Sequence, residues 1–376
     1  MPAIETQIIL VAFAMLILLT GIMVAITPYF QPKGEVFSVS VPTSVENDPA
    51  VRRLKRRFSV VVLAAAAMFT VAAVACGFAG SESKAMVFII SGSFVVPVFV
   101  GGGMIIASRS CMMKMKQERG WTVEPRQSVA AIGEDSALVP KGISLKWNWA
   151  YVPIMVITAI IAVVGYDAMP DMIPMHIDFA GNVTDVAQKT PMVVAFPVLF
   201  EAFMAVCFVF SHWSALRSKP GTTPEHPASS SWAYGLFLRV QTVTLLVCGL
   251  LLTAVIGILM ELSFIGMASL QIVMIAVLAL TVLVLVATVG VNLVFGQSGS
   301  KVFRMEESDN LLRNDDACWK LGMIYVNGND ASIFVPKRSG FGWTVNLGRP
   351  SAWALMAGFA LFTVLFVWLC FAMTGQ

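Results

Sequence analysis

Charge is scarce in this sequence: Asp, Glu, Lys and Arg make up 12% of its 376 residues, about half of the roughly 25% usual in a soluble domain. So few charges cannot wet a globular surface, and a net formal charge of only +3 argues against nucleic acid as a partner. The six cysteines are Cys76, Cys111, Cys207, Cys248, Cys318 and Cys370. Four lie in apolar runs and none makes a CxxC pair, which argues against a disulfide framework or a zinc knuckle. The chain has no HExxH, no nucleophile elbow, no serine–lysine pair and no evident internal repeat. Nothing in it requires a cofactor. Glu5, and no basic segment, precedes the first apolar run. That run is also too long for a signal-peptide core, so it reads as a retained helix.

What the chain has instead is length in apolar runs, with 57% of its residues hydrophobic. Runs of about 20 such residues recur, each long enough to cross a hydrocarbon core of about 30 Å. In lipid the backbone must satisfy its own hydrogen bonds, which leaves helices. The expected fold class is an all-α polytopic membrane protein with about eight transmembrane helices. The spans are Ile8–Phe30, Phe58–Phe78, Ala85–Ala107, Trp149–Ala168, Pro191–His212, Ala233–Met260, Met267–Phe295 and Ser351–Met373.

The basic residues are distributed unevenly between the loops. The loop after span one carries Lys33, Arg52, Arg53, Lys55, Arg56 and Arg57. The loop after span three carries Arg109, Lys114, Lys116, Arg119, Arg126, Lys141 and Lys146. Arg217 and Lys219 follow span five. Lys301, Arg304, Arg313, Lys320, Lys337, Arg338 and Arg349 follow span seven. These are 22 of the 25 Lys and Arg. Arg239 joins them, and only Lys84 and Lys189 face the other way. By the positive-inside rule the basic loops are cytoplasmic and both termini extracytoplasmic, in a multi-pass protein of the cell membrane. The basic loops suit anionic lipid headgroups or a cytoplasmic regulator.

The expected organisation is a three-helix N-terminal region (1–148), a helix pair with an extracytoplasmic segment at 169–190 (149–212), two further helices (213–300), a β-rich cytoplasmic module (301–350) and a last helix (351–376). In the module, "MIYVN" and "SIFVP" flank the turn composition "GNDA", and "GWTVNL" follows "SGFG". This predicts a small meander or a pair of hairpins docked on the helix ends, or else an ordered linker with local turns. Ser218 to Ser231, rich in Pro and Ser, reads as a flexible loop.

The polar segment "MPDMIPMHIDFAGNVTDVAQKT", Met169 to Thr190, interrupts this apolar chain. Pro170 and Pro174 end span four near Met169. "IPMHIDF" alternates, so an extended strand would project His176 and Asp178 from one face. Gly181 and Asn182 suit a turn. Asp185 and Lys189, four apart, would pair on a helical turn leading into span five. Asp167 ends span four beside this segment. Glu201, ten residues into span five, is a functional candidate because an ionisable group at that depth is costly. If it is structural, it is a buried carboxyl that is neutral or paired with Asn292 or a backbone group, and His212 lies about three turns further along.

Three readings stand side by side. His176 and Asp178, with Asp171 or Asp185, would be weak metal ligands. Glu201 or Asp178 would be a general base. Or His176, Asp178 and Asp185 form a recognition or structural cap.

Pro170, Asp171, Ile173, Pro174, His176, Gly181, Asp185 and Lys189 together resemble the signature of the SdpI-like family of bacterial membrane proteins. The likeness covers about 45 residues. "WKLGMIYVNGNDASIFVPKRSGFGWTVNLGRPSAW" is similar to a C-terminal module of unknown function in longer bacterial relatives, and Phe37–Phe58 to a segment that precedes their second helix. The family's namesake is an immunity and signalling protein against a secreted peptide toxin and sequesters a cytoplasmic repressor. It has fewer spans and lacks the C-terminal module. The resemblance implies envelope sensing or immunity, with an extracytoplasmic peptide, antibiotic or lipid met around Pro170, Asp171, Pro174, His176, Asp178, Gly181, Asp185, Lys189 and Glu201. The alternative is a transporter or membrane-embedded enzyme using Glu201 and the His176/Asp178 segment.

Overall fold

The computed structural model describes residues 4–31, 34–122, 139–178, 181–220, 227–303, 315–338 and 342–374. Lys33, Arg126, Arg304 and Arg313 of the basic set lie outside the described residues, as do most of the "SGFG" turn and the middle of the Ser218–Ser231 loop. Among the described residues, eight helices are long and apolar enough to cross a membrane, as expected. They impose lipid contact on the chain.

The first group is α1 (Ile4–Ile26), α2 (Pro49–Phe78), α3 (Glu82–Phe94) and α4 (Gly102–Glu118). Helix α2 starts nine residues before the expected span. Asp48 caps it, accepting the Ala50 N–H at 2.7 Å, and Pro49 opens it, the arrangement these residue types favour. A π-helical stretch, Val95–Gly101, joins α3 to α4. Pro97 lies inside it and has no N–H to donate, so the regular ladder cannot continue there. Leu10, Ile17, Phe58, Val62 and Ala66 form the core of this group.

The second group is α5 (Tyr151–Gly165), α6 (Pro191–Val194), α7 (Phe196–Leu216), α8 (Pro227–Phe264) and α9 (Leu270–Phe295). Two-residue strands β1 (Glu35–Val36) and β2 (Val39–Ser40) sit in the loop after α1, and β3 (Met172–Ile177) pairs antiparallel with β4 (Val183–Gln188) between α5 and α6. Helix α8 has 38 residues, about 57 Å at 1.5 Å per residue, so it overruns a bilayer core. It takes in Ser229–Ser231, which the sequence places in a flexible loop. The last helix, α10 (Pro350–Thr374), lies against α7 through stacked rings, Phe203 on Phe362 and Phe366.

The β-rich module forms on the face opposite the β3–β4 hairpin. Its strands are β5 (Trp319–Lys320) with β6 (Ile324–Tyr325), and β7 (Phe334–Pro336) with β8 (Trp343–Val345). The runs on either side of "GNDA" therefore do not pair with each other. Asn346 explains why. It is fully buried, and its amide donates to the carbonyls of Asn327, Asp330 and Ser332 while its oxygen accepts the N–H groups of Asn327 and Gly348. This shapes the Asn327–Ser332 loop around a side chain instead of a hairpin ladder.

Ion pairs fasten the module to the helices. Arg338 meets Glu35, Asp315 and Asp316, and Lys116 of α4 meets Asp316 at 2.8 Å. Arg109 of α4 donates to the carbonyls of Ser38, Asp316 and Trp319. Arg109 and Arg338 are thus buried tethers, not headgroup contacts.

Candidate functional site

The expected polar segment is the β3–β4 hairpin, an ordered structure and not a loose loop. Helix α5 tightens into a 3-10 turn at Tyr166–Ala168, and Met169 turns extended. The Lys189 N–H donates to the Asp171 carbonyl at 2.8 Å, closing the base of the hairpin. The Lys189 amine donates to the Met169 carbonyl at 3.0 Å and lies 4.6 Å from the Tyr166 ring centre. Gly181 takes a positive φ of 84° at the tip. Thr190 then caps α6, accepting the Val193 N–H at 3.2 Å. The inner face sets Ile173 and Ala187 on Met169, Val193, Val194 and Phe264.

Two expectations about this segment are overturned. Residues 183–188 are strand, not helix, so Asp185 and Lys189 do not pair; four residues of strand separate their side chains by about 13 Å. Asp185 instead meets His176, whose Nδ1 is 3.2 Å from its Oδ2. Asp178 also does not act with His176 from one strand face. The register shifts at His176 and β3 ends at Ile177. Asp178 lies in the turn, where its carboxylate accepts the backbone and side-chain N–H groups of Asn182. Pro170 and Asp171 are exposed at the base, Pro174 is half-buried opposite Val186, and the His176 side chain is 69% exposed. A cleft of about 300 Å³ runs beside the tip. Phe13, Met86, Ile177 and Met274 supply its apolar lining, and Glu82 and Asp178 its acidic groups.

Glu201 is not part of this surface. It is fully buried, and Thr158 of α5 donates to its Oε1 at 2.7 Å. The expected partner Asn292 donates instead to the Thr288 carbonyl within α9. Pro197, Glu201, Ala205, His212 and Ala215 are the buried residues of α7. At the module end His212 bonds the Ile143 carbonyl through Nε2 at 3.0 Å, so Nε2 carries the hydrogen and Nδ1 accepts the Asn148 amide at 3.1 Å. Between these ends Tyr151, Ala205 and Leu246 pack together, with the buried Tyr151 hydroxyl making no hydrogen bond.

The sequence reading missed Glu261, which is fully buried in α8. Its signal was weak, because it falls one residue past the apolar run ending at Met260.

Two family profiles match the chain. Residues 154–200 match a domain of unknown function (DUF1648), which runs from α5 through the hairpin and stops one residue short of Glu201. Residues 329–353 match a family of unknown function (DUF5808), which takes in Asn346 and the start of α10. Neither description names an activity or the SdpI-like family. No curated protein and no solved structure matches.

Proposed function

We propose that this chain is an SdpI-like integral membrane protein of envelope sensing or immunity. It recognises an amphipathic ligand at the hairpin face and relays occupancy through the module to a cytoplasmic regulator. The cleft beside the hairpin tip carries this reading. Its apolar lining and two carboxylates, Glu82 and Asp178, suit a cationic peptide or peptide-like antibiotic, and the exposed His176–Asp185 pair follows next along the hairpin. The basic loops orient the hairpin outward. The relay rests on the module's ties to the loop after α1 and to α4 through Arg338 and Arg109. A transporter or enzyme would need an aqueous route to Glu201, and the packing of Ile173, Val193, Val194 and Phe264 beneath the hairpin favours recognition over it.

The test is a panel of envelope-active cationic peptides, scored for growth of expressing cells and for binding to purified protein. Asp178→Asn and His176→Ala should each lower resistance and weaken binding of the same peptide, at wild-type expression. Equal binding by wild type and both variants across the panel would remove the cleft from the mechanism.

A further inference from the structure

Glu201 and Glu261 face one another across α7 and α8, and neither has been given a role. Both are 0% exposed. The Glu201 carboxyl presses on α8 at Gly257, where a Cβ would overlap it. Glu261 is one turn along from Gly257 on the same face of α8, which places it next to the point where the Glu201 carboxyl meets that helix. Thr253, one turn the other way, is also 0% exposed, and its hydroxyl has no hydrogen-bond partner. Glu201 Oε2 and both Glu261 oxygens lack partners as well. Among the described residues no Lys, Arg or His pairs with either carboxyl.

Two desolvated carboxylates with no cationic partner cannot both stay ionised, so something bound must cancel the charge. A metal ion needs room and a shell of oxygens. Here the Glu201 carboxyl is already in contact with Gly257, and among the described residues no third His, Cys, Asp or Glu stands with the two carboxyls to complete a ligand set. A proton needs no such space. It also turns an unpartnered oxygen into a donor for its neighbour.

We propose that Glu201 and Glu261 form a proton-binding site, a carboxyl pair that shares its protons with the Thr158 and Thr253 hydroxyls beneath the hairpin. The titratable groups on the surrounding elements are Tyr166 and Asp167 at the end of α5 and Asp171, His176, Asp185 and Lys189 on the hairpin. Cys248 lies on α8 between Leu246 and Gly257, Tyr151 brings a buried hydroxyl to the layer it forms with Ala205 and Leu246, and beyond that layer stand Cys207 and His212; α10 contributes Cys370, while α6 and α9 contribute none. Lys189 is held by the Met169 carbonyl and the Tyr166 ring. The layer of Tyr151, Ala205 and Leu246 lies between the pair and the module end, and the packing of Ile173, Val193, Val194 and Phe264 lies between the pair and the hairpin face, so proton exchange proceeds by transient opening of this packing and not through a standing aqueous route. Phe264, one turn from Glu261, belongs to the buried cluster that seats Ile173 and the hairpin, which links the charge of the pair to the seating of the hairpin.

This site goes beyond the recognition reading and does not depend on it. The experiment is infrared spectroscopy of the purified full chain in lipid nanodiscs, following the protonated-carboxyl stretch as pH rises in sodium-free buffer. A titrating band is expected, with about one carboxyl's share lost in Glu201→Gln and again in Glu261→Gln. Thr158→Val, which removes only a hydroxyl, should shift the midpoint without removing the band. A band unchanged in both Gln variants would overturn the proposal. So would a band that sodium abolishes at constant pH, because the site would then hold a metal cation. Thermal melts identify a variant that fails to fold, in which case Thr158→Val carries the decision. Peptide binding at the cleft, measured on the same samples, separates failure here from failure of the recognition reading.

Discussion

Arg338 and Asp316 meet at 2.7 Å with their side chains 5% and 9% exposed, and around this contact the module is joined to the helices. Burial alone would raise the Asp316 carboxyl. The bonds from Lys116, the Ser40 N–H and Arg338 outweigh that and hold it below the usual carboxylate value. Removing one partner from such a cluster leaves the others buried and uncompensated, a loss of about 3–5 kcal/mol. Arg338→Met strands Glu35, Asp315 and Asp316 together, so it should make the module sensitive to protease at temperatures where wild type resists. Arg349→Met, a substitution at the foot of α10, provides the comparison. Equal protease resistance of Arg338→Met and wild type would show that the network does not hold the module in place.

Acid should loosen the same module through Asp330. Burial raises this carboxyl, but the Lys219 ammonium at 2.6 Å and the Ser332 N–H bring it down to about 2. The folded value lies below that of an unfolded aspartate, about 3.9. The unfolded chain therefore binds more protons between these limits, and stability is lost as pH falls from about 4 toward about 2. Melting temperature should be flat from neutral pH down to about 4 and then fall. Asp330→Asn should melt lower at pH 7 and show a shallower acid slope. Parallel curves for the two proteins would show that Asp330 does not titrate with unfolding.

Much of this architecture was legible because its causes are local. Eight apolar runs impose eight helices, and Pro170, Pro174 and Gly181 impose a break and a turn. The start of α2 was equally local: Asp48-Pro49 is a cap followed by a first-turn proline, but hydropathy pointed to Phe58 because the intervening arginines are polar. The rest depends on contacts distant in sequence. Arg109 and Arg338 count as surface charge in any loop tally, and only Asp316, remote from both Arg109 and Ser40, shows that they are buried. Glu261 looks like the polar end of a span until Gly257 brings Glu201 against its helix. Asp185 found His176 and not Lys189 because a bulged strand replaced the expected helical turn, and spacing alone does not distinguish the two.

Orientation is open to direct measurement, and the distribution of Lys and Arg motivates it. Thr184 on the hairpin and Lys320 on the module are both exposed. In a background with the native cysteines replaced, Thr184→Cys should react with an impermeant thiol reagent in intact cells, and Lys320→Cys only after lysis. The reverse pattern would turn the protein over in the membrane and remove the basis for an outward-facing cleft.

Two glycines on neighbouring helices should respond in opposite ways to the same added methyl group. At Gly257 a Cβ would run into the Glu201 carboxyl, whose position is fixed by the Thr158 hydrogen bond and by the packing of α7. Relief requires α8 to move off α7 or the carboxyl to abandon Thr158. Overpacking of this kind costs about 1–3 kcal/mol, while the helical preference of Ala over Gly returns only about 0.5–1 kcal/mol. At Gly290 in α9 nothing lies within 4 Å of the added carbon, so only the helical preference acts. Gly257→Ala should therefore melt below wild type in detergent and Gly290→Ala at or slightly above it. The infrared band of the carboxyl pair should also move in Gly257→Ala and stay in place in Gly290→Ala, because only the first disturbs Glu201. A Gly257→Ala protein with wild-type melting and an unmoved band would mean that α8 does not press on Glu201, and the close approach of the two carboxyls would lose its structural basis.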